Sequence, residues 1–195
     1  PIIDAVKQRF DIIISLDTST PQVMLEGAKL GAGLINDVRA LQRDGALAAA
    51  AQTKLAICLM HMQGQPATMQ QQPRYDSVID EVYDFLRQRI DICHQAGIEH
   101  SRLLIDVGFG FGKTLTHNLQ LLAQLSQFKQ LQCPILVGMS RKSMLGAILD
   151  GAPVNQRLFA GLSAATIAAL NGAHIIRTHD VRATKEALAV VAALL

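Results

Sequence analysis

Residues 103–113 read L-L-I-D-V-G-F-G-F-G-K. A short apolar run ends on one carboxylate, Asp106. Gly108, Gly110 and Gly112 then alternate with Phe109 and Phe111 before Lys113. An apolar run of this length reads as a strand buried on both faces, as in a parallel sheet. An acid at the end of such a strand costs stability unless donors meet it. The glycines admit positive φ and close approach of backbone to another body. The stretch therefore predicts a strand that hands a carboxylate, a tight turn and two flat rings to one edge, the layout of a ligand site.

The same pattern recurs on both sides. Ile2, Ile3, Val6 and Phe10 predict a helix over 2–10, and I-I-I-S-L-D at 12–17 predicts a strand ending on Asp17. Thr20 followed by Pro21 marks a helix start, and Gly31 its stop. Strands are expected at 34–38, with Asn36 and Asp37 near the end, and at 55–60, running through Met60 into His61. An alanine-rich helix over 45–52 lies between them. A glutamine-rich loop over 65–74 is expected to be the mobile segment. Val78, Ile79, Val82, Phe85, Leu86, Ile90 and Cys93 mark one face of a long helix closed by Gly97. Beyond Lys113 the pattern predicts a helix over 116–128 and a strand over 134–139, followed by Ser140, Arg141 and Lys142. A short helix comes next, then one over 157–171, a strand over 174–177 and a terminal helix from 183.

Strand and helix alternate throughout, which signals βαβ units and a parallel sheet. With 195 residues there is material for one substantial core. No linker or charge block divides the chain, so residues 1–195 read as a single domain. Six strands are too few for a complete barrel of eight. The fold class is α/β, either a TIM (β/α)8-type barrel with about six of its eight β/α units or an open doubly wound sheet. The polar residues favour the barrel, because each strand delivers its polar group at its C-terminal end, the face where barrels carry active sites. The start at Pro1, inside a helix-like stretch, is expected to be the interior of a longer protein.

Composition excludes several classes. The formal charge is +2 with no basic block, which argues against nucleic-acid binding and against attraction to a membrane surface. No apolar segment is long enough to span a bilayer. Cys58, Cys93 and Cys133 are far apart, lack zinc-site spacing and read as buried free thiols in a reducing cytoplasm. Two nucleotide motifs nearly fit and fail. The P-loop pattern ending at Gly112, Lys113 and Thr114 places its first glycine on Val107, and the glycines repeat as G-x-G-x-G rather than G-x-G-x-x-G.

The rim residues sort by chemistry. Ser140, Arg141, Lys142, Arg177 and His179 follow the last two strands, where barrels commonly hold phosphate, and arginine grips phosphate oxygens bidentately. Asp17, Asn36 and Asp106 suit a nitrogen-rich heterocycle, since aspartate accepts from ring N–H and amino groups while asparagine both donates and accepts. Taken singly, Asp17 is as well explained as a turn residue ahead of the helix, and Asn36 and Asp37 as satisfying loop backbone, while His61 is better explained as a satisfied strand-end histidine than as a catalyst. Taken as a rim they predict one polar pocket with an anion end and a heterocycle end.

S-L-D-T-S at 15–19, I-N-D-V-R at 35–39, L-M-H-M-Q-G at 59–64, D-V-G-F-G-F-G-K at 106–113, G-M-S-R-K-S at 138–143 and G-A-H-I-I-R-T-H-D at 172–180 resemble the bacterial dihydropteroate synthases, in order and from end to end. The resemblance implies a folate-pathway transferase on a TIM barrel. It joins 6-hydroxymethyl-7,8-dihydropterin diphosphate to 4-aminobenzoate, releases pyrophosphate and is inhibited by sulfonamides. By motif, Asp17, Asn36, Met60, Asp106, Lys142 and Arg177 bind the pterin. Phe111, Ser140 and Lys142 border the aminobenzoate and sulfonamide, Arg177 and His179 hold the diphosphate, and Lys142, Arg177 and His179 form the catalytic set. The resemblance further implies Mg2+, a cytoplasmic homodimer joined through its terminal helices, and small-molecule substrates.

Two departures stand out. Val107 occupies a position where the family usually has proline. The family's first two strands, with a magnesium-ligating asparagine, are not found, so no metal ligand is expected in this chain and efficient turnover is not expected from these residues alone. The alternatives are a pterin-binding fragment without turnover, a methyltetrahydrofolate-dependent methyltransferase on the same barrel, and a Schiff-base aldolase using Lys142.

Overall fold

The computed structural model describes residues 1–65 and 68–194. The backbone forms two compact units, one of residues 1–61 and 84–106, the other of residues 62–83 and 107–195.

In the first unit, α1 (Ile2–Lys7) precedes β1 (Ser15–Asp17), α2 (Pro21–Lys29), β2 (Leu34–Asp37), α3 (Ala46–Gln52), β3 (Ala56–Met60) and, after most of α4 (Val78–Gln95), β4 (Leu103–Asp106). The four strands are parallel in the order β1-β2-β3-β4. Neighbours in sequence are neighbours in the sheet, which is barrel-type winding; a doubly wound sheet reverses its order at a switch point.

Register divides the sheet into two faces. Leu16, Ile35, Ile57 and Leu103 lie side by side and are almost fully buried. Leu16 packs so closely on α2 that a Cβ at Gly27 would collide with it. The opposite face carries Asp17, Asn36 and Cys58 in one row and Met60 beside Asp106 two residues further on. Side chains alternate with a period of two, so the adjacent Asn36 and Asp37 look in opposite directions.

Three expectations for this unit change. The predicted 12–17 strand pairs as a strand only over Ser15–Asp17, and Ile12 and Ile13 are exposed. The helix expected over 2–10 ends at Lys7 and buries none of its residues. Thr20 stands at the start of α2, with Pro21 in its first turn, but makes no capping bond with its side chain. Its Oγ1 instead accepts from Arg43 Nη1 at 2.9 Å.

In the second unit, α5 (Leu115–Ala123) continues into a 3-10 helix (Leu125–Leu131), so the helix predicted over 116–128 tightens at its C-terminal half. β5 (Leu136–Val137), α6 (Ser143–Ile148), α7 (Leu158–Leu170), β6 (Ile175–Ile176) and α8 (Val181–Ala192) follow. β5 and β6 are parallel. They are shorter than expected, although the backbone bonds His174 N to Ile135 O and Arg177 N to Val137 O extend the pairing. The expectation of mobility for residues 65–74 falls partly on Pro66 and Ala67, outside the described residues. Within the rest of that loop, Gln63 Nε2 donates to Arg74 O at 2.8 Å and Gln63 Oε1 accepts from Arg74 N at 3.1 Å.

Candidate active site

In the first unit, four strand ends gather the predicted heterocycle ligands on one face. Asn36 Nδ2 donates to Asp17 Oδ1 at 3.4 Å, and His61 N donates to Asp106 O at 2.9 Å. Asn36, Met60 and Asp106 are buried while Asp17 is exposed at the rim. Asn36 Oδ1 is buried and lacks a hydrogen-bond partner among the described residues. A buried acceptor left unmade costs free energy, and a ligand N–H would relieve it. Cys58, in register with Asn36, has its thiol pushed well up, first by burial and then by the negative charges of Asp106 and Asp17. The thiol stays neutral and adds no third negative charge to that face.

Asp37 and His61 are structural. Asp37, fully buried on the helix-facing side, accepts from Ser19 Oγ, from Arg39 N at 2.9 Å and from Leu41 N at 2.9 Å. Those bonds fold the turn after β2, where Ala40 and Leu41 have positive φ. The His61 ring meets Phe85 edge-on at 4.9 Å.

In the second unit, the glycine turn is held along its whole length. Gly108, Gly110 and Gly112 have φ of 71°, 76° and 63°. Gly110 N donates to Asn118 Oδ1 at 2.7 Å, and Asn118 Nδ2 donates to Thr114 O at 2.7 Å. Tyr75 Oη donates to Gly112 O at 2.8 Å. Lys142 Nζ donates to Phe109 O at 2.5 Å and lies 4.7 Å from the centre of the Phe111 ring.

Gly138, Ser140, Lys142, Arg177, Thr178 and His179 line a cavity of about 260 Å3. His179 Nδ1 is 3.0 Å from Ser140 Oγ, which also accepts from His179 N at 3.2 Å. Arg141 does not join them. Its guanidinium grips Asp180 bidentately, Nη2 to Oδ1 at 2.6 Å and Nε to Oδ2 at 3.1 Å. Of the five residues expected at an anion end, Ser140, Lys142, Arg177 and His179 thus line one cavity, while Arg141 is paired with Asp180.

The family described as pterin binding enzyme matches residues 1–179. The dihydropteroate synthase of Escherichia coli (strain K12) is 54% identical over 195 residues, covering all of this chain and 69% of that protein. The chain belongs to the dihydropteroate synthase family. The crystal structure of Yersinia pestis dihydropteroate synthase in a sulfonamide drug complex superposes with a TM-score of 0.97 at 52% identity, covering all of this chain and 70% of that one. Dihydropteroate synthase from Xanthomonas albilineans in complex with 7,8-dihydropteroate gives 0.93 at 43% identity, over all of this chain and 73% of that one. The resemblance read from the motifs therefore holds, as does the α/β fold of partial TIM-barrel type. Membership of the dihydropteroate synthase family makes this chain a transferase of folate biosynthesis, and its substrates are small molecules.

Two contributors escaped the sequence reading. Asn118 lies on the buried face of α5 with Leu121 and Leu122; a polar residue on an apolar helical face was the available signal. Tyr75 lies in a stretch without periodicity and gave none.

Proposed function

We propose that Asp17, Asn36, Met60, Asp106, Lys142 and Arg177 bind the pterin of 6-hydroxymethyl-7,8-dihydropterin diphosphate. Phe111, Ser140 and Lys142 border 4-aminobenzoate, and Arg177 and His179 hold the diphosphate. The observation that carries this reading is the row of strand ends in which Asn36 offers a buried, unpartnered acceptor beside Asp17, on the face shared by Met60 and Asp106. A flat ring rich in N–H groups supplies the donors that such a face needs.

In the reaction the bond from the pterin methylene carbon to the diphosphate oxygen breaks and pyrophosphate leaves with the electron pair. The resulting cation is delocalised over the pterin, and the arylamine nitrogen attacks the methylene and loses a proton. Charge builds on the leaving oxygens, so cationic donors assist more than a general base does. Lys142, Arg177 and His179 are assigned to that task, supported by the cavity that Lys142, Arg177 and His179 line.

The ion proposed to accompany the diphosphate is Mg2+. Among the described residues no group of three or more His, Cys, Asp or Glu side chains is arranged to hold a metal. These residues do not fit the ion by themselves, and no step is assigned to it. Residues 1–195 are proposed to be one pterin-binding domain with six of eight β/α units. A cytoplasmic homodimer joined through α7 and α8 completes the reading. It is supported by the exposed apolar residues Phe159, Ile167, Leu170 and Val190 on those helices and by three buried free cysteines.

The test is a steady-state assay with both substrates on the intact protein and on an Asp106→Asn variant. Dihydropteroate formation that sulfonamides inhibit, and that falls at least about a hundredfold in the variant, is expected. Absence of product from the wild-type protein would overturn the reading.

A further inference from the structure

Lys113 is charged yet only 3% exposed, and none of the roles assigned above uses it. Its Nζ donates to Gly108 O at 3.0 Å and to Phe111 O at 3.1 Å. Gly108 O also accepts from Phe111 N at 3.1 Å, so the ammonium reinforces the bond that closes the turn. An ammonium carries three donors on a long stem, and its bonds to carbonyls are charge-assisted. Burying it is costly unless such acceptors converge on it.

The carbonyls of residues 108 and 111 are taken by Lys113, while the carbonyl of residue 109 accepts from Lys142. Phe109 itself is fully buried, so the peptide that meets Lys142 is anchored by its side chain as well. One buried lysine thus sets the turn from which the other, more exposed lysine takes its bearing against the Phe111 ring.

We propose that Lys113 is a positioning residue for the aminobenzoate end of the site. By fixing the carbonyls of Gly108 and Phe111, it holds the Phe109 carbonyl and the Phe111 ring where they locate the Lys142 ammonium for an arylamine bearing an acidic para substituent, either a carboxylate or a sulfonamide. This inference rests on the assignment of Phe111 and Lys142 to that substrate.

The experiment compares Lys113→Met, Lys113→Gln and Phe111→Ala in the intact protein. KM for each substrate, kcat and the sulfonamide inhibition constant are measured, with circular dichroism to confirm folding. Lys113→Met is expected to raise the aminobenzoate KM and the sulfonamide constant about tenfold while leaving the pterin diphosphate KM within about twofold, the signature of lost binding at one substrate. Lys113→Gln, which keeps a neutral donor, should fall between.

A folded Lys113→Met with unchanged sulfonamide inhibition overturns the proposal, and so does equal weakening toward both substrates, which is what a general loss of packing would produce. If neither Lys113 variant folds, Lys113 is a determinant of the fold and the proposal fails. If Phe111→Ala leaves sulfonamide inhibition unchanged, the assignment of Phe111 fails instead. A sulfonamide effect in Phe111→Ala without one in Lys113→Met removes only the inference about Lys113.

Discussion

Asn36 Nδ2 donates across the β1–β2 register to Asp17 Oδ1 at 3.4 Å, while Asn36 Oδ1, on the same side chain, is buried and has no partner among the described residues. One amide is thus half satisfied by the protein. Asn36→Leu removes a buried acceptor that the free protein does not satisfy, so its thermal stability is expected to change little. Pterin affinity should drop by the worth of one or two buried bonds, about 1–3 kcal/mol. Calorimetry with a pterin ligand, alongside a melting curve, separates the two effects.

Gly112 has a φ of 63°, and a Cβ there would strike the carbonyl oxygen of Gln63. A backbone oxygen cannot swing aside as a flexible side chain would. Gly112→Ala is expected to destabilise by about 1–3 kcal/mol, read as a fall in Tm of about 2–4 °C per kcal/mol. Gly151 also has positive φ but faces open space, so Gly151→Ala should cost less.

Asn118 is 2% exposed and bonds both the Gly110 amide and the Thr114 carbonyl. Asn118→Leu would bury those groups unpaired, at a cost of about 1–3 kcal/mol for each buried group left unsatisfied. Asn118→Asp keeps the acceptor for Gly110 but turns a carboxylate oxygen toward the Thr114 carbonyl, and it too should lower Tm. A conservative variant that left Tm unchanged would show that the loop does not depend on this side chain.

The Asp180 carboxyl is held below its usual range, first by the hydrogen bond from Arg141, which prevails over the opposing effect of burial, and then by the positive charges of Arg141 and His179. A carboxylate whose folded pKa is depressed stabilises the fold above its unfolded pKa, about 3.9. That contribution is lost as pH falls through the lower folded value. The Arg141–Asp180 brace should therefore stay intact from pH 7 to pH 5. An NMR titration of the Asp180 carboxyl carbon should find a midpoint below the usual range, and Arg141→Ala should return it there.

Cys93 is raised to about 11, by burial and against the pull of Arg89 and Arg102. A thiol whose folded pKa is raised contributes stability below its unfolded pKa and loses it as pH climbs toward the folded value. Stability should decline between about pH 9 and 11. Because Cys58, Cys93 and Cys133 are all buried, a thiol reagent at neutral pH should label none of them quickly in the folded protein and all of them in denaturant.

Most strand positions were legible because apolar runs ending on polar residues are local signals. Lengths were not: Ile12 and Ile13 read as strand by composition but are exposed in the structure. Pairing depends on a neighbouring backbone, which local composition does not contain. The helix expected over 116–128 is found in that place, but nothing in its local composition signals the tightening into a 3-10 helix at Leu125.

The sequence by itself determined the family, the alternation of strand and helix, and which strand ends carry Asp17, Asn36, Asp106 and Arg177, because each is written in a contiguous motif. Only the tertiary structure decided which polar residues face the site and which hold the frame. Asn36 and Asp37 are adjacent and chemically alike, yet the two-residue alternation of a strand sends one to the face of Asp17 and the other toward the helices. Arg141 and Lys142 are likewise adjacent, but a carboxylate 39 residues away claims the first and a backbone carbonyl 33 residues away the second. Partners that distant in sequence meet only when the chain has folded.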